Sequence, residues 1–145
     1  MTQIVSDHFA GSRRWRAQWV WPAHEDGRAR NSYCLFRRVF TLDHVPPDAM
    51  LFITADTRYE LWINGRLAGR GSLMSQPFFK YYDQHDVRDL LQAGRNTVAV
   101  MVNHTGTEPD TRGGLVAELV DGRGETRLAT DGEWRAVRSD AWRAE

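Results

Sequence analysis

An Asn64-Gly65 pair separates two short runs of the chain. A two-residue turn of this composition joins antiparallel strands, because both of its central residues need positive φ. Before it, Tyr59, Leu61 and Ile63 alternate with Glu60 and Trp62; after it, residues 66–70 return. A strand period of two recurs along the sequence. Trp15, Ala17, Trp19 and Trp21 alternate with Arg16, Gln18 and Val20. Residues 33–42 place Cys34, Phe36, Phe40 and Leu42 on one side, with Arg38 interrupting, and 49–55 form a short apolar strand. Val98, Val100 and Val102 mark another strand, and Leu115, Ala117 and Leu119 the next. Asp121-Gly122-Arg123-Gly124 turns into 125–129, and Asp131-Gly132 turns toward Trp134 and Val137. One helical piece is expected, a short turn capped by Asp86 and ended by Gly94. About eight or nine short strands with regular turns predict an all-β sandwich or barrel.

If each strand crosses the sandwich once, the long connections 22–32, 71–84 and 103–114 gather at one end with the short turn 56–58. Tight turns fill the other end. Function tends to sit on loops held by a rigid scaffold; the alternative is that long loops simply cover an open end.

Composition removes several classes. Lys plus Arg and Asp plus Glu both number 19, so no basic excess points to nucleic acid. No apolar run approaches the roughly 20 residues of a membrane span, and residues 1–15 hold no secretory apolar segment. The single cysteine, Cys34, excludes an internal disulfide and a cysteine zinc site. These features lead to an expected cytoplasmic location and a single domain over 1–145. Eighteen of the 19 basic residues are Arg, which suits bidentate recognition of carboxylates and also follows from a GC-rich genome.

No G-x-S-x-G elbow, H-E-x-x-H helix or G-x-x-x-x-G-K-[ST] loop occurs. A glycosidase needs two carboxylates. Asp56 and Asp110 both fall at the loop-rich end, but Asp at a turn normally bonds its own backbone, and the chain alone is expected to be non-catalytic. His104 follows a strand directly and reads as a site residue or as a hydrogen-bonded structural histidine. Asp83, His85 and Asp86 could ligate a cation such as calcium, although the set is too small for one; no cofactor is expected. Tyr81-Tyr82, beside Phe78 and Phe79, offers an aromatic platform for the apolar face of a sugar. Arg58, Arg70, Gln76, Asn103, Asp110 and Arg112 could bond its hydroxyls.

The segments "NSYCLFRRVFTL", "ITADTRYELWINGRLAGRG", "YYDQHDVRDLLQAGRNTVAVMVNH", "GGLVAELV" and "LATDGEWR" stand in this order. Together they resemble the N-terminal β-sandwich domain of bacterial α-L-rhamnosidases. More distantly, they are similar to the jelly-roll domain that opens many β-galactosidases and β-glucuronidases. The resemblance covers roughly residues 15–142 and implies a galactose-binding-like, antiparallel jelly-roll fold. In that family the domain is non-catalytic and precedes further β domains and a helical barrel holding the catalytic carboxylates. In the β-galactosidase relatives the loops matching 22–32 and 103–114 reach toward the active site; here the second lacks an aromatic residue. The resemblance implies an accessory domain of an α-L-rhamnosidase-like glycoside hydrolase. A free-standing carbohydrate-binding module and a purely structural assembly domain are the alternatives. The expected partners are a rhamnose- or galactose-containing glycan and the other domains of the parent hydrolase, with no nucleic acid and no membrane.

Overall fold

The computed structural model describes residues 2–4, 13–25, 27, 29, 31–71, 82–106 and 113–139. They form two antiparallel sheets. The first joins, in order, β1 (Thr2–Ile4), β2 (Val20–Pro22), β9 (Gly114–Asp121), β4 (Ala49–Asp56) and β7 (Asp83–Asp86), with β10 (Thr126–Ala129) also paired to β9. The second runs β11 (Arg135–Arg138), β3 (Ser32–Leu42), β8 (Gly94–His104), β5 (Arg58–Ile63), β6 (Arg66–Gly71). The fold is the expected jelly-roll β-sandwich. No helix among the described residues is long and apolar enough to cross a membrane.

Alternation builds the core. Cys34 and Phe36, Tyr59, Leu61 and Ile63, and Val98, Val100 and Val102 point inward from the second sheet. They meet Leu51, Ile53 and Ala55 of β4 and Leu115, Ala117 and Leu119 of β9. Burial pushes the Cys34 thiol up to about 12; Glu25 adds to the rise and Arg138 opposes it. A thiol so placed is inert. We expect alkylation of Cys34 at pH 8 to stay at background in the folded protein and to go to completion in denaturant. Rapid native labelling, followed by mass spectrometry, would contradict this burial.

The Asn64-Gly65 turn is present, with φ of 50° and 79°. Asn64 does more than turn: its side chain donates to the Leu90 carbonyl and to Asn96 Oδ1, and accepts from the Thr97 N–H. Past the turn, Leu61 pairs with Gly69 but Trp62 with Leu67, a bulge that admits one extra residue in β6.

The expected strand over 15–21 is corrected. Strand pairing starts at Val20, and residues 13–19 instead lie across the outer face of the first sheet. Their backbone bonds go elsewhere. Arg16 and Ala17 N–H donate to the Glu118 carboxylate, and Gln18 N–H to the Thr130 carbonyl. Ala17 and Trp19 pack there on Val116, which explains why β9 is buried on both faces. The helical piece shrinks to a 3-10 turn, Arg88–Leu90. Asp86 accepts from the Arg88 N–H, while Gly94, at φ 89°, starts β8. Two strands, β1 and β7, were not anticipated.

Candidate functional site

Register places the loop-rich end as expected. Ser32 pairs with His104, Arg58 with Asn103, Asp56 with Gly114 and Tyr59 with Gly71. The described ends of the four connections therefore share one end of the sandwich. They are also tied together. Gly113 N–H donates to the Gly27 carbonyl at 2.7 Å, Asn31 N–H to the Thr105 carbonyl, and Asn103 Nδ2 to Asn31 Oδ1.

The sequence-derived candidates divide into separate groups. Arg58, Arg70 and Asn103 come together, with Tyr33, Glu60 and Met101, around an open depression of about 310 Å³ on the outer face of the second sheet. Tyr33 and Asn103 are cross-strand partners, as are Asn103 and Arg58, and Glu60 and Arg70. Arg70 Nε lies 3.4 Å from Glu60 Oε1, an exposed pair that screening makes weak. The Tyr33 phenol, two guanidiniums, an amide and a carboxylate thus border a shallow hollow, with the buried Tyr59 also at its edge. Such a set can stack on one face of a pyranose and bond its hydroxyls.

Asp56 and His104 lie beneath this end, both buried. His104 Nδ1 is 3.8 Å from Asp56 Oδ1, too far for a hydrogen bond, and the ring packs edge-on to Trp21. Tyr82 sits apart from the Arg58 group, against Phe52 and Trp15 on the outside of the first sheet. Gln76, Tyr81, Asp110 and Arg112 lie outside the described residues, as do Phe78 and Phe79.

Sequence reasoning passed over Tyr33, Glu60 and Met101. The signal existed in strand parity: once Cys34 and Phe36 face inward, Tyr33 must face outward.

Asp83 and His85 point together at Tyr59, where edge strands β6 and β7 close one side of the sandwich. Tyr59 Oη donates to Asp83 Oδ2 at 2.6 Å. Its single proton being used, it accepts from His85 Nε2 at 2.8 Å, so the neutral ring carries its proton on Nε2. Gly69 and Gly71 make room: a Cβ at Gly69 would overlap the His85 ring, and one at Gly71 the Asp83 carboxylate and Tyr59 ring. Asp86 turns away to the Arg88 N–H. Among the described residues, no group of three or more His, Cys, Asp or Glu is placed to hold a metal ion.

Burial pushes the Tyr59 phenol up, and its hydrogen bond to Asp83 adds to this. Burial also pushes the His85 imidazole below its ordinary 6.5, with the Asp83 charge opposing. The unfolded chain therefore binds this proton first. The contribution of His85 to stability is whole above the unfolded midpoint, falls as pH drops through it, and levels off below the folded midpoint. We expect the His85 ring to titrate below 6.5 by NMR, and Asp83→Asn to lower that midpoint further. A rise in the variant would show that Asp83 does not hold the proton on the ring.

A larger hollow, about 550 Å³, lies at the opposite end between the 44–48 connection and the 121–123 turn. Of its two carboxylates, Asp48 and Asp121, the second is already committed. Asp121 Oδ1 accepts from Arg123 and Glu125 N–H and Oδ2 from Arg127 Nε, which together hold the acid below the usual carboxylate range.

Solved structures share this fold. The GH78 family rhamnosidase of Bacillus sp. GL1 superposes with a TM-score of 0.79 over 88% of this chain at 42% identity. The chain is similar to one domain of the α-L-rhamnosidases. It spans 14% of that protein, and 13% of the Streptomyces avermitilis α-L-rhamnosidase complexed with L-rhamnose, which it matches at 25% identity and TM-score 0.72 over 88% of its own length. A Pleurotus ostreatus lectin in complex with GalNAc matches 85% of this chain, and 35% of the lectin is covered, at 25% identity and TM-score 0.62. No protein-family model and no curated protein matches the sequence.

Proposed function

We propose that this chain is a non-catalytic accessory domain, N-terminal in an α-L-rhamnosidase-like glycoside hydrolase, that contributes to substrate recognition or domain packing. The observation that carries the proposal is the 42% identity over 88% of the chain to 14% of a rhamnosidase. The Tyr33 depression supplies the recognition surface. Its ligand is a rhamnose- or galactose-containing glycan, and the other domains of the parent hydrolase are its partners.

The lectin likeness favours a second reading, a free-standing carbohydrate-binding module. One set of experiments separates the two. L-rhamnose, D-galactose and an aryl rhamnoside are added to the isotope-labelled chain. We expect no turnover, and shifts at the amides of Tyr33, Arg58, Met101 and Asn103, with a Kd near millimolar, about 4 kcal/mol. Tyr33→Ala weakens binding about three- to tenfold. Turnover by the isolated chain would overturn the accessory reading. Full affinity in the isolated chain, unchanged when neighbouring hydrolase domains are added, favours the free-standing module.

A further inference from the structure

The outer face of the second sheet holds a second hollow, about 290 Å³, bordered by Arg37, Arg38, Arg95 and Arg135 with Val39 and Glu133. Arg37, Arg95 and Arg135 lie in the outward register with one carboxylate nearby, whereas Arg38 lies in the inward register of Cys34 and Phe36 and only edges the hollow. The ion pairs of the described residues engage Arg13, Arg70, Arg127 and Arg138, but not Arg37, Arg95 or Arg135. Arg38 Nη1 donates to the Glu133 backbone carbonyl. Arg37 and Arg135 stand directly opposite each other across β3 and β11, an arrangement that like charges disfavour. An anion between them would remove the repulsion and could be bound by two parallel N–H groups from either guanidinium.

This hollow and the Tyr33 depression share strand β3, with Tyr33 and Arg37 about 13 Å apart at strand rise. Between them lies an apolar strip of Leu35 flanked by Val137 and Met101. The ligand implied is extended, anionic at one point and apolar along its faces. A pyranose chain has that character. A nucleic acid would call for a longer basic stripe, and the chain carries no net charge.

We propose that the arginine hollow is a carboxylate subsite for an acidic glycan, in which a uronic-acid residue sits between Arg37 and Arg135 while another sugar of the same chain stacks on Tyr33. The inference rests on the carbohydrate-binding reading above.

The test titrates the whole 145-residue chain with trigalacturonate, with the same trisaccharide after reduction of its carboxyls, and with a short oligothymidylate. Trigalacturonate is expected to bind at least about tenfold more tightly than its reduced form, or about 1.4 kcal/mol. The preference should fade as ionic strength rises. Arg37→Glu combined with Arg135→Glu should abolish the preference but leave the binding of the reduced sugar intact. Both positions face outward from strands, and an unchanged amide spectrum elsewhere verifies the fold. Equal binding of the two sugars, with shifts confined to the Tyr33 end, would overturn the acidic subsite and leave the carbohydrate reading standing. Binding of neither sugar overturns both. Oligothymidylate binding as tightly as trigalacturonate, and lost in the same variant, overturns the glycan as occupant.

Discussion

Glu118→Ala should lower stability by about 3–5 kcal/mol, the range for stripping one partner from a buried, hydrogen-bonded charge. The Glu118 side chain is 2% exposed and accepts from three donors in the segment crossing the first sheet. Arg13 Nη2 is at 2.7 Å, and the Arg16 and Ala17 N–H groups are at 2.9 and 3.1 Å. Arg13 in turn stacks on Phe52 at 3.5 Å from the ring centroid. Truncation leaves a guanidinium and two backbone donors without an acceptor, and it uncovers Trp19 and Val116. Glu118→Gln keeps an acceptor oxygen, so its loss should be smaller. Urea unfolding gives the magnitude, and hydrogen exchange at Arg16 and Ala17 gives the location. A loss under about 1 kcal/mol, with both amides still protected, would reduce this clamp to an ordinary surface ion pair.

The same clamp shows why the sequence could be misread at 15–21. Its alternation is real in burial: Ala17 and Trp19 are covered while Arg16 and Gln18 are exposed. Period two reports which side of an extended chain is covered, not whether its backbone pairs with a strand. Here a distant carboxylate and Thr130 take the donors. The hairpin at Asn64 was legible because its turn chemistry is local. β7 was not, because Asp83-Gln84-His85-Asp86 has no hydrophobic member. Its inward polar pair is tolerated only because Tyr59 on another strand satisfies it.

The site was legible in part for a related reason. Loop parity located the crowded end, and there the structure groups Arg58, Arg70 and Asn103. Parity along each strand, which decides facing, separates Asp56 and His104 from them into the interior and brings Tyr33 out. The arginine hollow was invisible in sequence because Arg37 meets Arg135 only through the β3–β11 pairing, nearly a hundred residues apart by their numbering.

Trp21→Ala should cost about 3–5 kcal/mol, as for other large aromatic truncations in a core. Trp21 is 1% exposed and packs on Phe36 and His104 where the sandwich meets its loop-rich end. The sharper result comes from pairing it with Gly113. A Cβ at Gly113 would overlap the Trp21 indole, so Gly113→Ala alone should cost about 1–3 kcal/mol by overpacking. With Trp21 already Ala, the same methyl enters vacated space and should cost little or even stabilise. The double variant should then be more stable than the sum of the two losses predicts by about 1–3 kcal/mol, a coupling expected of residues in direct contact. Additive losses would mean that Gly113 is required for its own loop, through its N–H bond to the Gly27 carbonyl, and not to seat the indole. The outcome bears on recognition as well as stability, because that bond ties together the two long connections at this end. If the indole sets the position of Gly113, then the core residue Trp21 governs the shape of the loop-rich end. Substitutions at Trp21 would then shift amides of both connections, and Asn103, bonded to Asn31, would carry the shift to the Tyr33 depression.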